Sequence, residues 1–301
     1  NNALDANGLN ANDGILGPHR EKEGSFYALR EIFSPVKLSL PAQLPASFDG
    51  KIPVENRFHF TNLNACTFYW ALVDYSKPFD RFDGYVVKTK GTVTAPSVAP
   101  VQKGELQLTL PADYKNYDAL VIVAKDPSGR ELYKWTAEVK PKMAQLQNFV
   151  TIKNDSTFIT ETDTVYSIRG GEVTVVLDKK SGNLVTTKNT ANDYVLSFNN
   201  GPVLVKGAAA VTSSKAWKEG NESVVEFTYT GDLKYTRWKI NSSGWTTLEY
   251  EYNATGDQPF AGISFNYPEN YVLGTRWLGK GPYRQWKNRM AGTPINVWQN
   301  I

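Results

Sequence analysis

Near the C-terminal end of the chain, Arg284, Trp286 and Arg289 crowd together just after Gly281-Pro282. An exposed indole can stack on a sugar ring while guanidinium groups hydrogen-bond the hydroxyls. The same trio also suits a buried tryptophan beside an arginine paired with a carboxylate, the commoner fate of large aromatic side chains. Other chemistry has few residues to draw on. Cys66 is the single cysteine and His19 and His59 are the only histidines, so neither a disulfide framework nor a zinc centre of the usual kind is expected, and no metal or cofactor is implied. Phosphate-loop, dinucleotide and Gly-x-Ser-x-Gly motifs are absent. His59, flanked by Phe58 and Phe60, reads as a surface or interface residue, and Cys66 as a small buried hydrophobe. Asn154, Asn221, Asn241 and Asn253 begin Asn-x-Ser/Thr sequons, a pattern that Asn-rich turns also generate by accident.

The elements that would position such residues are strands. Apolar residues make up 41% and charged residues 21% of 301, a globular balance in a chain long enough for two or three domains. Aromatic residues reach 13% and, with many Thr and Val, favour β-structure. A net charge of +3 spread along the chain argues against a nucleic-acid footprint. No apolar run approaches the ~20 residues of a membrane span, and no secretory signal opens the chain, so a soluble protein is expected.

Residues 1–35 stand apart as a loop followed by a helix. Phe26, Leu29, Ile32 and Phe33 share a helical face, with Ser25 as N-cap and Pro35 as terminator. Residues 36–142 alternate short strands with turns, which predicts an immunoglobulin-like β-sandwich. Strands are expected over 52–60, 67–73, 105–110, 119–124 and 131–139. Residues 143–301 form a second antiparallel domain. It holds a hairpin at 173–185 that turns over 180–183, and period-two strands at 224–229, 235–240 and 246–252.

Four segments resemble, in order, motifs of β-galactosidase-type glycoside hydrolase family 2 enzymes. Asp13-Gly14-Ile15-Leu16-Gly17 and the helix that follows are similar to the close of that family's catalytic barrel. Glu55-Asn56-Arg57-Phe58-His59-Phe60-Thr61-Asn62-Leu63 resembles the opening of its second immunoglobulin-like domain. The hairpin with Asp178 and Gly182 is similar to one in its C-terminal supersandwich. Trp277-Leu278-Gly279-Lys280-Gly281-Pro282-Tyr283, with Arg289, resembles the supersandwich's Gly-x-Gly-Pro motif. Arg284 stands where that motif carries Glu, so galactose itself is not implied.

The resemblance implies three parts: the tail of a (β/α)8 barrel (1–35), an immunoglobulin-like β-sandwich (36–142), and a galactose-mutarotase-like β supersandwich (143–301), which would normally continue beyond this motif. It also implies a role in carbohydrate degradation as the non-catalytic C-terminal portion of a retaining β-glycosidase. Such enzymes use two carboxylates about 5 to 5.5 Å apart. The one Asn-Glu pair, Asn221-Glu222, falls in a polar hairpin tip, so both catalytic glutamates are expected upstream and no catalytic residue within this chain. Asp13, with Asn12 beside it, corresponds to a position at the rim of the family's active site, whereas an Asx-turn before Gly14 is its structural alternative. Arg284 and Trp286 complete the candidate substrate contacts. The implied partners are a carbohydrate substrate reached through the parent enzyme, the barrel of the same polypeptide and a possible homo-oligomer, in a bacterial periplasm or the extracellular space. An autonomous carbohydrate-binding β-sandwich, with Trp238, Trp245 and Trp277 as stacking residues, is the alternative reading, and an adhesion protein of two β domains is a third.

Overall fold

The computed structural model describes residues 15–17, 19–78, 80–141, 155–191, 194–196, 198–253, 255–257, 260–283, 288 and 290–300. Strand outweighs helix, 51% against 7%, so the expectation of a mostly β chain holds. The fold divides into two compact units, residues 1–145 with 274–301, and residues 146–273.

The first unit begins with α1 (Gly24–Ile32). It starts one residue before the expected cap: Glu23 occupies the N-cap position without a side-chain bond, and Ser25 lies in the first turn. No residue of the helix is buried. Two sheets follow. The strands β1 (Val36–Leu38), β2 (Lys51–Asn56), β3 (Thr67–Tyr75), β4 (Tyr85–Val93), β5 (Lys103–Gln107), β6 (Ala119–Lys125) and β7 (Glu131–Glu138) assemble antiparallel as β1-β2-β5 and β4-β3-β6-β7. Ile52, Val54 and Leu106 of the smaller sheet share one core with Phe68, Leu72, Leu120 and Ile122 of the larger, as facing layers must to hide their apolar sides. Cys66 is buried there, and burial pushes its thiol up.

Two local departures from simple alternation have visible causes. β2 stops at Asn56 rather than running to Phe60. The Asn56 side chain accepts from Phe58 N and donates to Thr61 O and Val98 O, an Asx-type bend that turns the chain and leaves His59 and Phe60 outside any strand. A bulge opposite Leu72 and Val73 skips Lys88 and shifts the phase of β4, while β3 keeps strict alternation. Phe68, Trp70 and Leu72 face the main core, whereas Val73 and Tyr75 face outward.

The second unit has the same plan. Strands β8 (Thr157–Glu161), β9 (Val165–Gly170), β10 (Val173–Asp178), β11 (Leu184–Asn189) and β12 (Tyr194–Leu196) form one meander. β13 (Asn199–Leu204) pairs with β18 (Ile263–Asn266), and β14 (Ala209–Glu219), β15 (Glu222–Gly231), β16 (Leu233–Ile240) and β17 (Thr246–Tyr252) make a four-stranded sheet. Ile168, Val175 and Leu177 meet Val225, Phe227, Trp238 and Ile240 in its core. The turn between β10 and β11 is tied by Asp178, which accepts from Ser181 N and Oγ. Gly182 takes φ +73°, and a Cβ there would strike the Tyr229 hydroxyl, so the position excludes larger residues twice over.

The chain then returns to the first unit. β19 (Thr275–Lys280) and β20 (Ile295–Asn300) form a hairpin whose Ile295 and Val297 pack on Val73, Tyr75, Ala119 and Val121. Residues 274–301 therefore leave the second domain in which the sequence reading placed them. The reason is the outward apolar row of Val73, Tyr75, Ala119 and Val121, which needs a cover. β6 is accordingly buried on both faces over most of its length. No helix among the described residues is long and apolar enough to cross a membrane.

Candidate functional site

Sequence reasoning nominated Asn12, Asp13, Arg284 and Trp286, and all four lie outside the described residues. The structure describes the region where α1, β7 and the residues flanking β19 and β20 meet. Gly281-Pro282, bonded cis, delivers Tyr283 to the helix. Its ring stacks on that of Tyr27, centroids 5.4 Å apart and planes 29° from parallel, and its hydroxyl donates to Lys22 O at 2.8 Å. Gly24 faces the Tyr283 ring closely enough that a Cβ would sit in tight contact. Burial, and then the Tyr27 hydroxyl beside it, push the Tyr283 phenol up to about 12.

Two carboxylates line this region, and both are engaged. Glu31 accepts from the Tyr133 hydroxyl at 2.7 Å and from Gly292 N. Burial and that carboxylate together hold the Tyr133 phenol far above its usual range. Glu131 accepts from Arg30 Nη2 at 3.0 Å, while Arg30 also donates to Leu132 O. Trp298 Nε1 donates to Gly279 O, and its partner across the hairpin, Trp277, donates to Lys280 O. These bonds frame a pocket of about 210 Å³ lined by Tyr27, Arg30, Tyr133, Tyr283 and Trp298 among others. A wider cleft of about 590 Å³ runs along the Ala28, Leu29 and Ile32 side of the helix to Met290 and Thr293.

Aromatic walls with one ion pair and several hydroxyls suit a neutral polar ring compound better than an ion. Glu31 accepts its protein donors through Oε2 and Glu131 through Oε1. No protein-family model and no curated protein matches the chain. Among the described residues no group of three or more His, Cys, Asp and Glu gathers as a metal site.

Glu222, the member of the one Asn-Glu pair, opens β15 directly after the hairpin tip at Gly220 and Asn221 and pairs with Glu219, a turn position and not a barrel-type site. Trp238 is buried in the second core, and Trp245 is 43% exposed. Tyr27, Tyr133 and Trp298 were missed by sequence reasoning. Their one signal was the high aromatic content, since Tyr133 and Glu31 are 102 positions apart and nothing local announces the pair.

Proposed function

We propose that this chain is the non-catalytic C-terminal portion of a retaining β-glycosidase resembling the β-galactosidase-type enzymes of glycoside hydrolase family 2. The observation that carries the reading is the order of the four motifs. Their described parts also fall on sensible elements. The helix motif lies on α1, the Asn56 motif on the bend after β2, the Asp178–Gly182 motif on the β10–β11 turn, and the Gly-Pro motif at the end of β19. In this reading the first unit carries α1 as the last element of the barrel. The Tyr27, Tyr283 and Trp298 pocket supports the rim of the active site, with Asn12, Asp13, Arg284 and Trp286 as substrate contacts. The chain contributes shape and hydrogen-bond donors, and the two catalytic glutamates come from upstream.

The test has two arms. The chain alone is expected to hydrolyse no aryl β-glycoside, and measurable turnover lost on a Glu→Gln change within it would refute the reading. The coding sequence upstream, over about 300 residues for a barrel with its insertions, is expected to encode two glutamates at barrel-strand ends, one after Asn. Its product joined to this chain is expected to be active. An autonomous sugar-binding module is favoured instead if the chain alone binds neutral β-linked oligosaccharides through the Tyr27 and Trp298 pocket.

A further inference from the structure

Among the described residues, the outer face of the β4-β3-β6-β7 sheet is only half covered. The β19–β20 hairpin packs on the end that holds Val73, Tyr75, Ala119 and Val121. The other end is an open groove of about 690 Å³ with Tyr69, Ala71, Val123 and Gly91 in its lining. Cross-strand register explains the composition. Thr92, Tyr69, Val123 and Lys134 form one row across the four strands, and Lys90, Ala71, Val121 and Thr136 the next. The floor is aliphatic and aromatic, and Tyr69 stays 38% exposed.

The rim is cationic. Lys125 Nζ sits 5.5 Å from the centre of the Tyr69 ring, and Lys134 Nζ sits 5.7 Å from that of Tyr85. Lys90 is exposed on the edge strand β4. None of the three is in an ion pair with a described carboxylate, and Glu131, the acid in the groove lining, is taken by Arg30. Elsewhere in the unit Lys51, Lys88 and Lys140 each have an acidic partner. Lys90 and Lys125 in the lining, with Lys134 at the end of the Tyr69 row, flank an apolar floor whose one described acid, Glu131, lies opposite Lys125 and is paired with Arg30.

We propose that this groove binds an acidic oligosaccharide of the uronate type. The C–H faces of pyranose rings would lie on Tyr69, Ala71 and Val123, and the ring carboxylates would pair with Lys90 and Lys125. At ~4.8 Å per strand, the path from β4 to β7 has room for about three rings. Lysine is a point charge suited to single carboxylates, whereas bidentate arginines would favour sulfate or phosphate. The aliphatic floor also suits sugar faces better than nucleobases, which need several stacking aromatics. The inference does not rest on the glycosidase reading.

The experiment is calorimetric titration of the full chain with pentagalacturonate, with its methyl ester as a neutral control of the same backbone. The acid is expected to bind, to weaken as salt rises from about 50 to 500 mM, and to bind at least about tenfold more tightly than the ester. The Lys90→Gln/Lys125→Gln double variant is expected to lose about tenfold with an unchanged melting temperature, because both side chains are at the surface. Tyr69→Ala should weaken acid binding and abolish any residual ester binding. Equal binding of acid and ester, unchanged binding by the double variant, or no binding of the acid would overturn the proposal. So would tighter binding of a heparin fragment or of a single-stranded oligonucleotide.

Discussion

The two four-stranded sheets of this molecule handle charge on their outer faces in opposite ways. In the second unit, Lys215, Glu226, Arg237 and Glu249 lie directly opposite one another across β14, β15, β16 and β17. Lys215 reaches Glu226 at 2.9 Å, Arg237 Nε donates to Glu226 at 2.7 Å, and Arg237 reaches Glu249 at 3.4 Å. Lys239 adds contacts to Glu219 and Glu249. Alternating signs in cross-strand register neutralise the face from within. In the first unit the corresponding face is part apolar, under a hairpin, and part lysine-rimmed with no such ladder. A face whose charges are mutually satisfied is built for the fold, and one whose charges are left open is available to a partner.

Core truncation would break the comparison most severely. Phe68→Ala and Phe227→Ala each remove a fully buried ring and should each cost about 3–5 kcal/mol. Because the units have separate cores, each change should lower one transition in a calorimetric scan and leave the other in place. A joint shift of both would show that the two unfold together.

Disabling the ladder comes next. Glu226 is 6% exposed, and Glu226→Gln leaves Arg237 and Lys215 without their shared carboxylate. Both cations reach solvent, so a loss of about 2 kcal/mol is expected, below the range for a fully buried pair. Lys90→Gln in the other unit should change stability by no more than about 0.5 kcal/mol. Chemical denaturation of the two variants checks the contrast, and a costly Lys90→Gln would mean that its charge is already used.

Alkali should separate the units as well. In the first, burial raises the phenols of Tyr75, Tyr133 and Tyr283, the last to about 12 from an ordinary 10.0. In the second, Tyr229 is raised by burial. A raised phenol favours the folded state while protonated. Its contribution is whole below pH 10 and, for Tyr283, is lost as pH rises from 10 to 12. The transition of the first unit should therefore fall further over that window, followed by scanning at stepped pH. Tyr283→Phe should remove part of the difference.

The smallest effect is expected in acid. Burial pushes the Glu226 carboxyl up, but hydrogen bonds from Lys215 and Arg237 outweigh it and hold the group below its usual 4.5. The bond from the Ser181 hydroxyl lowers Asp178 in the same unit, and the bond from the Ser128 hydroxyl lowers Asp126 in the first. Carboxylates lowered in the fold stabilise it above their unfolded values, and that contribution is lost as pH falls through the folded ones. Both units should weaken below about pH 4.5. In Glu226→Gln the acid slope of the second unit should flatten while that of the first is unchanged.

Much of this architecture was legible in one dimension. Period-two alternation located β7, β15, β16 and β17, because a strand between one core and solvent shows its two faces in its own sequence, while β6, buried on both faces, stood out as an apolar run. The Asp178–Gly182 turn and the helix over Phe26 and Leu29 were legible for the same reason, being set by residues a few positions apart. The end of β2 took both: a local bend through Phe58 N and Thr61 O, and the Asn56 amide reaching Val98 across 42 positions. Tertiary structure alone sent residues 274–301 back to the first unit, because the apolar row they cover is assembled from β3 and β6, strands well separated in the sequence. It also decided which lysines find a carboxylate: Lys215 meets Glu226 through strand register, while Lys90 and Lys125 line a groove whose acid, Glu131, pairs with Arg30. Local pattern determines which residues face inward, but which elements meet there is decided by packing between segments far apart in the chain.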